Sequence, residues 1–216
     1  KEPDCGLDAS GRNSGVLHAG FYYSRDTLKA QLTWRGNRLL TGYCEEKKIP
    51  LNKCGKLVVA RTREDLAGLD ELLRRGRMNG IPLEEISAND AKVIEPRIKT
   101  CERALFSPAT STVDPSQVML AMKKDAVDEG VQLHLGVRYL GSSKGQVKTT
   151  HGTYHVGYLV NAAGLYADRI AQDYGFSKGY RILPFKGLYL YSDEPPGSIR
   201  TNIYPVPDLK NPFLGL

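Results

Sequence analysis

The amino-acid sequence predicts an α/β chain, α+β in its overall proportions, and three observations carry that prediction. Apolar residues recur at helical spacing over 28–49, 66–78 and 115–129. Short apolar, β-branched runs bounded by turn residues fall between and after them. At 158–174 a strand-like run passes through Ala162-Ala163-Gly164 into a helix-like one, a step in which small residues let the backbone pass close to a ligand or a neighbouring strand.

Taken in order, residues 1–26 read as irregular, and Asp26 or Thr27 is a candidate N-cap for a long helix. Leu28, Leu32, Leu39, Leu40 and Tyr43 form its apolar stripe, interrupted by Gly36 and Gly42, and Ile49-Pro50 stops it. Cys54–Ala60 reads as a strand. Thr62-x-x-Asp65 opens a second helix carrying Leu66, Leu69, Leu72 and Leu73, which Asn79-Gly80 ends. A shorter helix is expected over Ser87–Ile94 and a strand over Ala104–Ser107.

Asp114-Pro115 is an N-cap with proline in the first turn, and Gly130 is a natural stop. Between them Val118, Ala121, Met122, Ala126 and Val127 are expected to form the buried face. Strands follow at 131–135, 137–141, 146–150 and 153–156, with His151-Gly152 at a hairpin turn. Tyr158–Asn161 reads as a strand and Tyr166–Tyr174 as a helix capped by Gly175. Arg181–Tyr191 and Ile199–Val206 read as further strands, and Phe213-Leu214-Gly215-Leu216 as a strand whose partners lie beyond the C-terminus.

The 216 residues suffice for one large domain or two small ones. With 41% hydrophobic and 25% charged residues the chain is ordinary for a folded soluble protein, not a disordered one. The N-terminus lacks an apolar signal-like segment and no apolar run approaches membrane-spanning length, so a cytoplasmic protein is expected. The net charge of +6 is spread out instead of striped, which argues against a nucleic-acid partner and leaves an anionic small molecule, an acidic lipid surface or, as the first reading, a solvated surface with no partner. Cys5, Cys44, Cys54 and Cys101 match no metal-ligand spacing and no disulfide framework, so reduced, mostly buried thiols and no metal are expected.

The stretch Gly11–Gly20 is neither helix-like nor strand-like. It holds Gly11, Gly15 and Gly20 together with Asn13, Ser14 and His18. Glycines at that density let a backbone approach a ligand, and the polar side chains add donors and acceptors, so the stretch reads as one wall of a binding site. The same residue types also make an ordinary surface turn.

Six stretches in order resemble a known family: GRNSGVLHAGFYY (Gly11–Tyr23), CGKLVVA (Cys54–Ala60), SPATSTVDP (Ser107–Pro115), VNAAGLYADRIA (Val160–Ala171), PFKGLY (Pro184–Tyr189) and IYPVPD with PFLG (Ile203–Gly215). They resemble the flavin-dependent oxidoreductases of the D-amino-acid-oxidase and glycerol-3-phosphate-dehydrogenase superfamily, in particular the L-2-hydroxyglutarate dehydrogenases or oxidases. The resemblance implies an incomplete FAD-binding Rossmann-like domain, over 1–42 and 107–180, with an antiparallel-sheet substrate domain over 43–106 and 181–216. It implies FAD as cofactor, a small anionic 2-hydroxy acid as substrate, oxygen or a quinone as electron acceptor, and a peripheral contact with the inner membrane.

Members of the family begin with a strand, a Gly-x-Gly-x-x-Gly turn and a helix that hold the dinucleotide pyrophosphate, and the present sequence contains no such turn. The family's glycine-rich segment facing the flavin, beyond the last strand, is also absent. An internal fragment with weak or absent FAD binding is therefore expected, and the unpaired sheet edges suggest a homodimer.

Carried over residue by residue, Asn13, Ser14 and Gly15 would line the pyrophosphate and flavin, Ala163 and Gly164 would pass close to the dinucleotide, and the backbone at Val137 would touch adenine. The family usually has a small β-branched residue where Tyr139 stands. His18 would sit beside the flavin as the base for the substrate hydroxyl, or would only hydrogen-bond its own loop. Arg12, Lys186 and Tyr204 are the substrate candidates, with a solvated lysine tip and a sheet-packed tyrosine as the other readings of the last two.

Overall fold

The computed structural model describes residues 1–143 and 145–209, so the strand expected at Phe213–Leu216 lies outside the described residues. Two compact units emerge, one of residues 1–12 and 119–192, the other of 13–118 and the segment from 193 onward.

The second unit holds most of the regular structure. A two-residue strand β1 (Val16–Leu17) leads to helix α1 (Leu28–Glu46), where Thr27 caps the helix by accepting the Ala30 N–H at 3.2 Å. Strands β2 (Leu51–Asn52) and β3 (Lys56–Val59) precede α2 (Leu66–Met78). Then come β4 (Glu84–Ser87), α3 (Ala88–Ile94) with a Ser87/Asp90 capping box, β5 (Arg103–Ser107) and β6 (Ser111–Val113). Helix α4 (Pro115–Asp128) starts where Asp114 accepts the Ser116 N–H at 2.8 Å, and only its first residues belong to this unit.

The other unit contains β7 (Tyr139–Ser143), β8 (Gln146–Thr149) and β9 (Gly152–His155), then a single 3-10 turn (Gly164–Tyr166) and α5 (Ala167–Asp173). The chain returns to the larger unit with β10 (Asn202–Pro205).

Sheet order in the larger unit is β10-β3-β5-β4, antiparallel except for β10, which runs parallel to β3 with Tyr204 opposite Val58. Every residue of β3 is buried, because the strand is covered on both faces. Val58 and Ala60 pack with Phe21, Tyr22, Leu69, Leu72 and Leu105 on one side, and Leu57 and Val59 with Ala91, Ile98 and Ala104 on the other. Side-chain alternation puts Lys56 at the start of the first of these faces, in register with Val58. A small three-stranded sheet, β1-β6-β2, carries the end of the glycine-rich stretch.

Several sequence expectations need correcting. On α1 the buried residues are Ala30, Asn37 and Cys44, while Leu28 and Leu39 are 71% and 64% exposed. The helix docks through small side chains and through Asn37, whose amide donates to the carbonyls of Leu17 and Ala109, so close backbone approach decides the face and not the leucine stripe. On α4 only Val118 is buried, and Met122 and Val127 are exposed. The strands expected at 131–135, Tyr158–Asn161 and Arg181–Tyr191 do not form. Each is apolar enough, but none has a paired neighbour among the described residues, and an unpaired strand leaves its peptide groups to water. None of the four cysteines is bridged, and only Cys44 is fully buried.

Candidate functional site

The glycine-rich stretch crosses both units: Arg12 falls in the smaller unit and Asn13 onward in the larger. Arg12, Asn13 and Ser14 are exposed. Asn13 closes a local turn by accepting the Gly15 N–H at 2.9 Å, and Gly15 then approaches β6 so closely that a Cβ would lie 2.1 Å from the Val113 carbonyl oxygen. Its φ is +67°, and its own carbonyl accepts the Val113 N–H at 2.9 Å. Glycine is thus required here for pairing with β6. Gly15→Ala is expected to destabilise the larger unit by about 1–3 kcal/mol. A thermal midpoint equal to that of the parent chain would contradict the close approach.

Pairing with β6 fixes β1, and β1 delivers His18 to the end of the central sheet. There the Nδ1 atom of His18 lies 2.9 Å from Nζ of Lys56. Lys56 is 0% exposed, and His18 is its one hydrogen-bonding neighbour among the described residues. The ammonium sits 4.2 Å from the ring centre of Tyr204, 5.0 Å from that of Tyr22 and 5.7 Å from that of Phe21. Tyr204 in turn meets the imidazole edge-on, at 6.0 Å between ring centres.

Among the described residues no carboxylate is paired with this cation. Burial pulls the Lys56 amine down from 10.5 to about 7. Burial, and secondly the Lys56 charge, pull His18 down from 6.5 to about 4, so its imidazole is neutral at physiological pH. Tyr22 is buried with its hydroxyl lacking a partner, and burial pushes its pKa well above the usual phenol range. Half-buried His18 and Tyr204 therefore flank a buried amine, Lys56, together with the buried rings of Tyr22 and Phe21.

Sequence alone does not single out Lys56, although it stands inside the stretch Cys54–Ala60. A signal existed: a lysine opens the run Lys56-Leu57-Val58-Val59, where an uncompensated charge is costly in a strand covered on both faces.

Of the sequence-derived candidates, His18 and Tyr204 are brought together. In the smaller unit, Val137 is half-buried just ahead of β7, and the Ala163 N–H binds the Asn161 side chain at 3.3 Å. Gly164 has φ +56° and nothing within 4 Å of the position a Cβ would take, which leaves open space beside the backbone. Lys186 lies in the exposed, irregular stretch 181–191. Within the larger unit, the orphaned Tyr22 hydroxyl and the neutral imidazole fit an anionic substrate that gives up a proton; within the smaller unit, taken by itself, the open backbone at Gly164 fits the close approach of a dinucleotide. No helix among the described residues is long and apolar enough to cross a membrane.

The family of FAD dependent oxidoreductases (DAO) matches residues 1–216. Among curated relatives, the mitochondrial L-2-hydroxyglutarate dehydrogenase of Nematostella vectensis is 37% identical over 238 residues, covering 100% of this chain and 52% of its own length. The Homo sapiens enzyme of the same name is 37% identical over 234 residues, covering 100% and 50%. An L-2-hydroxyglutarate dehydrogenase of Escherichia coli is 34% identical over 222 residues, covering 100% and 52%. The chain thus spans about half the length of the curated relatives it matches. In structure it is similar to L-alpha-glycerophosphate oxidase from Mycoplasma pneumoniae, solved with FAD bound, with TM-score 0.79, 20% identity, and coverage of 96% of this chain and 57% of that one. That likeness shows the fold.

Proposed function

The chain belongs to the family of FAD-dependent oxidoreductases, and from that premise we propose that it forms part of a flavoprotein oxidising L-2-hydroxyglutarate, or a related 2-hydroxy acid, to the 2-oxo acid. The observation that carries this reading is a neutral, half-buried His18 backed by a wholly buried lysine. Identity of 34–37% with L-2-hydroxyglutarate dehydrogenases over the whole chain supports the substrate.

Oxidation of a 2-hydroxy acid removes a proton from the hydroxyl oxygen and a hydride from C2, and bound FAD supplies the hydride acceptor. His18 takes the proton, for which a neutral imidazole with Nε2 free is suited. The aromatic walls of Phe21, Tyr22 and Tyr204 keep water from the amine behind it. Arg12, Lys186 and Tyr204 are proposed to bind the substrate carboxylates, and Asn13, Ser14, Gly15, Val137, Ala163 and Gly164 the cofactor. Residues 1–42 and 107–180 are assigned to the flavin domain and 43–106 and 181–216 to the substrate domain. Oxygen or a quinone accepts the electrons, in a homodimer with a peripheral membrane contact.

The discriminating test offers the full-length flavoprotein L-2-hydroxyglutarate and, separately, its amino analogue glutamate under anaerobic conditions. Bleaching of the flavin by the hydroxy acid alone is expected, and bleaching by glutamate alone would move the protein to amine oxidation. The 216-residue chain itself contains no Gly-x-Gly-x-x-Gly turn, so it is expected to purify colourless. Stoichiometric yellow absorbance in that preparation would overturn this expectation.

A further inference from the structure

A base that accepts a proton must also dispose of it, and the geometry behind His18 offers a destination. His18 is half-buried, whereas Lys56 is 0% exposed and bonds to the imidazole, so the imidazole offers a proton from outside a path to Nζ. Resting on the reading of His18 as the base, we infer that His18 and Lys56 form a two-residue proton relay, Nε2 receiving the substrate hydroxyl proton while Nδ1 passes its own to the Lys56 amine.

The step balances. The substrate O–H and C2–H bonds break and its C=O bond forms, with the hydride leaving to the flavin. On the protein, an Nε2–H bond forms, the Nδ1–H bond breaks and an Nζ–H bond forms. His18 ends neutral in the opposite tautomer and Lys56 ends as an ammonium, until the proton returns to solvent.

Hydrogen-bond direction decides when the relay is open. An ammonium at Lys56 can only donate to Nδ1, which puts the ring proton on Nε2 and leaves that atom unable to accept another. A neutral amine can accept from Nδ1–H, and Nε2 is then a free acceptor. Around the amine stand Tyr22 and Phe21 from the segment after β1, Tyr204 from β10, His18, and Ser107 of β5 directly across the sheet. Ser107 is already bonded to Thr110 at 3.1 Å. Among the described residues that shell holds no carboxylate to pin Lys56 in its charged form, and burial pulls its pKa to about 7. Lys56 is thus a positioning residue that acts through His18.

The test reads the tautomer directly. Long-range 1H–15N NMR of the imidazoles in the 216-residue chain, from pH 5.5 to 9, is expected to show His18 passing from the Nε2–H to the Nδ1–H form as pH rises through about 7. Lys56→Arg, permanently charged, is expected to hold the Nε2–H form throughout, and Lys56→Met, apolar and unbranched, to remove the pH dependence should arginine not fit. In the flavin-loaded protein, flavin reduction by the hydroxy acid is expected to be about tenfold slower at pH 6 than at pH 8, a difference that Lys56→Met abolishes. A His18 tautomer constant with pH in the parent chain, or one that switches equally in both variants, would overturn the relay. Reduction that needs His18 but is flat from pH 6 to 8 would reject the relay while sparing the histidine base; no reduction by any hydroxy acid would reject the reading beneath both.

Discussion

In the full-length flavoprotein, His18→Gln is expected to slow reduction of bound flavin by the hydroxy acid about 10²–10⁴-fold, the usual contribution of a positioned general base. Glutamine is polar and of similar reach, but its amide cannot take up a proton, so the substitution removes the chemistry while disturbing packing little. His18 is half-buried but makes a single hydrogen bond among the described residues, to Lys56, and glutamine is of similar size, so the cost to the fold is expected to be modest. Rapid-mixing absorbance at saturating substrate separates the loss of rate from any loss of binding. A variant reduced within threefold of the parent rate would show that the hydroxyl proton leaves by another route.

Lys56→Met is expected to stabilise the larger unit by about 2–4 kcal/mol at pH 6 and by little at pH 10.5. The sign follows from the amine's shift from 10.5 in the unfolded chain to about 7 in the native one. Below pH 7 both states are protonated and the native state carries the full cost of a buried cation, only partly offset by the three aromatic rings. Between 7 and 10.5 the native chain has released the proton while the unfolded chain keeps it, so parent stability climbs with pH. Above 10.5 both are neutral and the cost is gone. His18 acts in the same sense at lower pH: its value is pulled from 6.5 to about 4, so stability falls as pH drops through that window. Urea unfolding at pH 6 and pH 10.5 checks the prediction, and a less stable methionine variant at pH 6 would mean that contacts of the ammonium outweigh its burial.

Elements whose partners are near in sequence, or whose ends carry strong local chemistry, were legible from residues alone. Thr27, Ser87 and Asp114 cap helices where the sequence indicates, and the β8–β9 hairpin turns at Thr150-His151, one residue from the expected position. Periodicity misled on α1, because Asn37 is polar in sequence yet buried and satisfied by the Leu17 and Ala109 carbonyls, a contact no pattern of apolar residues encodes. It misled again at Tyr158–Asn161 and Arg181–Tyr191, where β propensity is high but a strand exists only with a neighbour to pair with. In the site, His18 stood out because it sits among glycines. Lys56 was hidden inside an ordinary strand run, since its importance arises from β10 and the segment after β1 closing over it.

The pairing of β10 with β3 joins residues 202–205 to 56–59. During synthesis the ribosome finishes β3, β5 and β4 well before β10 emerges, and at about 5–20 residues per second the delay lasts several seconds or more. Until then Tyr204 is missing from the shell around Lys56 and that side of β3 is unpaired. The shell around the amine is therefore completed only when this long-range pair closes. Under the proposed relay, the buried amine depends on a late-synthesised strand of this unit, so a polypeptide stopped short of residue 202 would hold the histidine without Tyr204 beside its lysine.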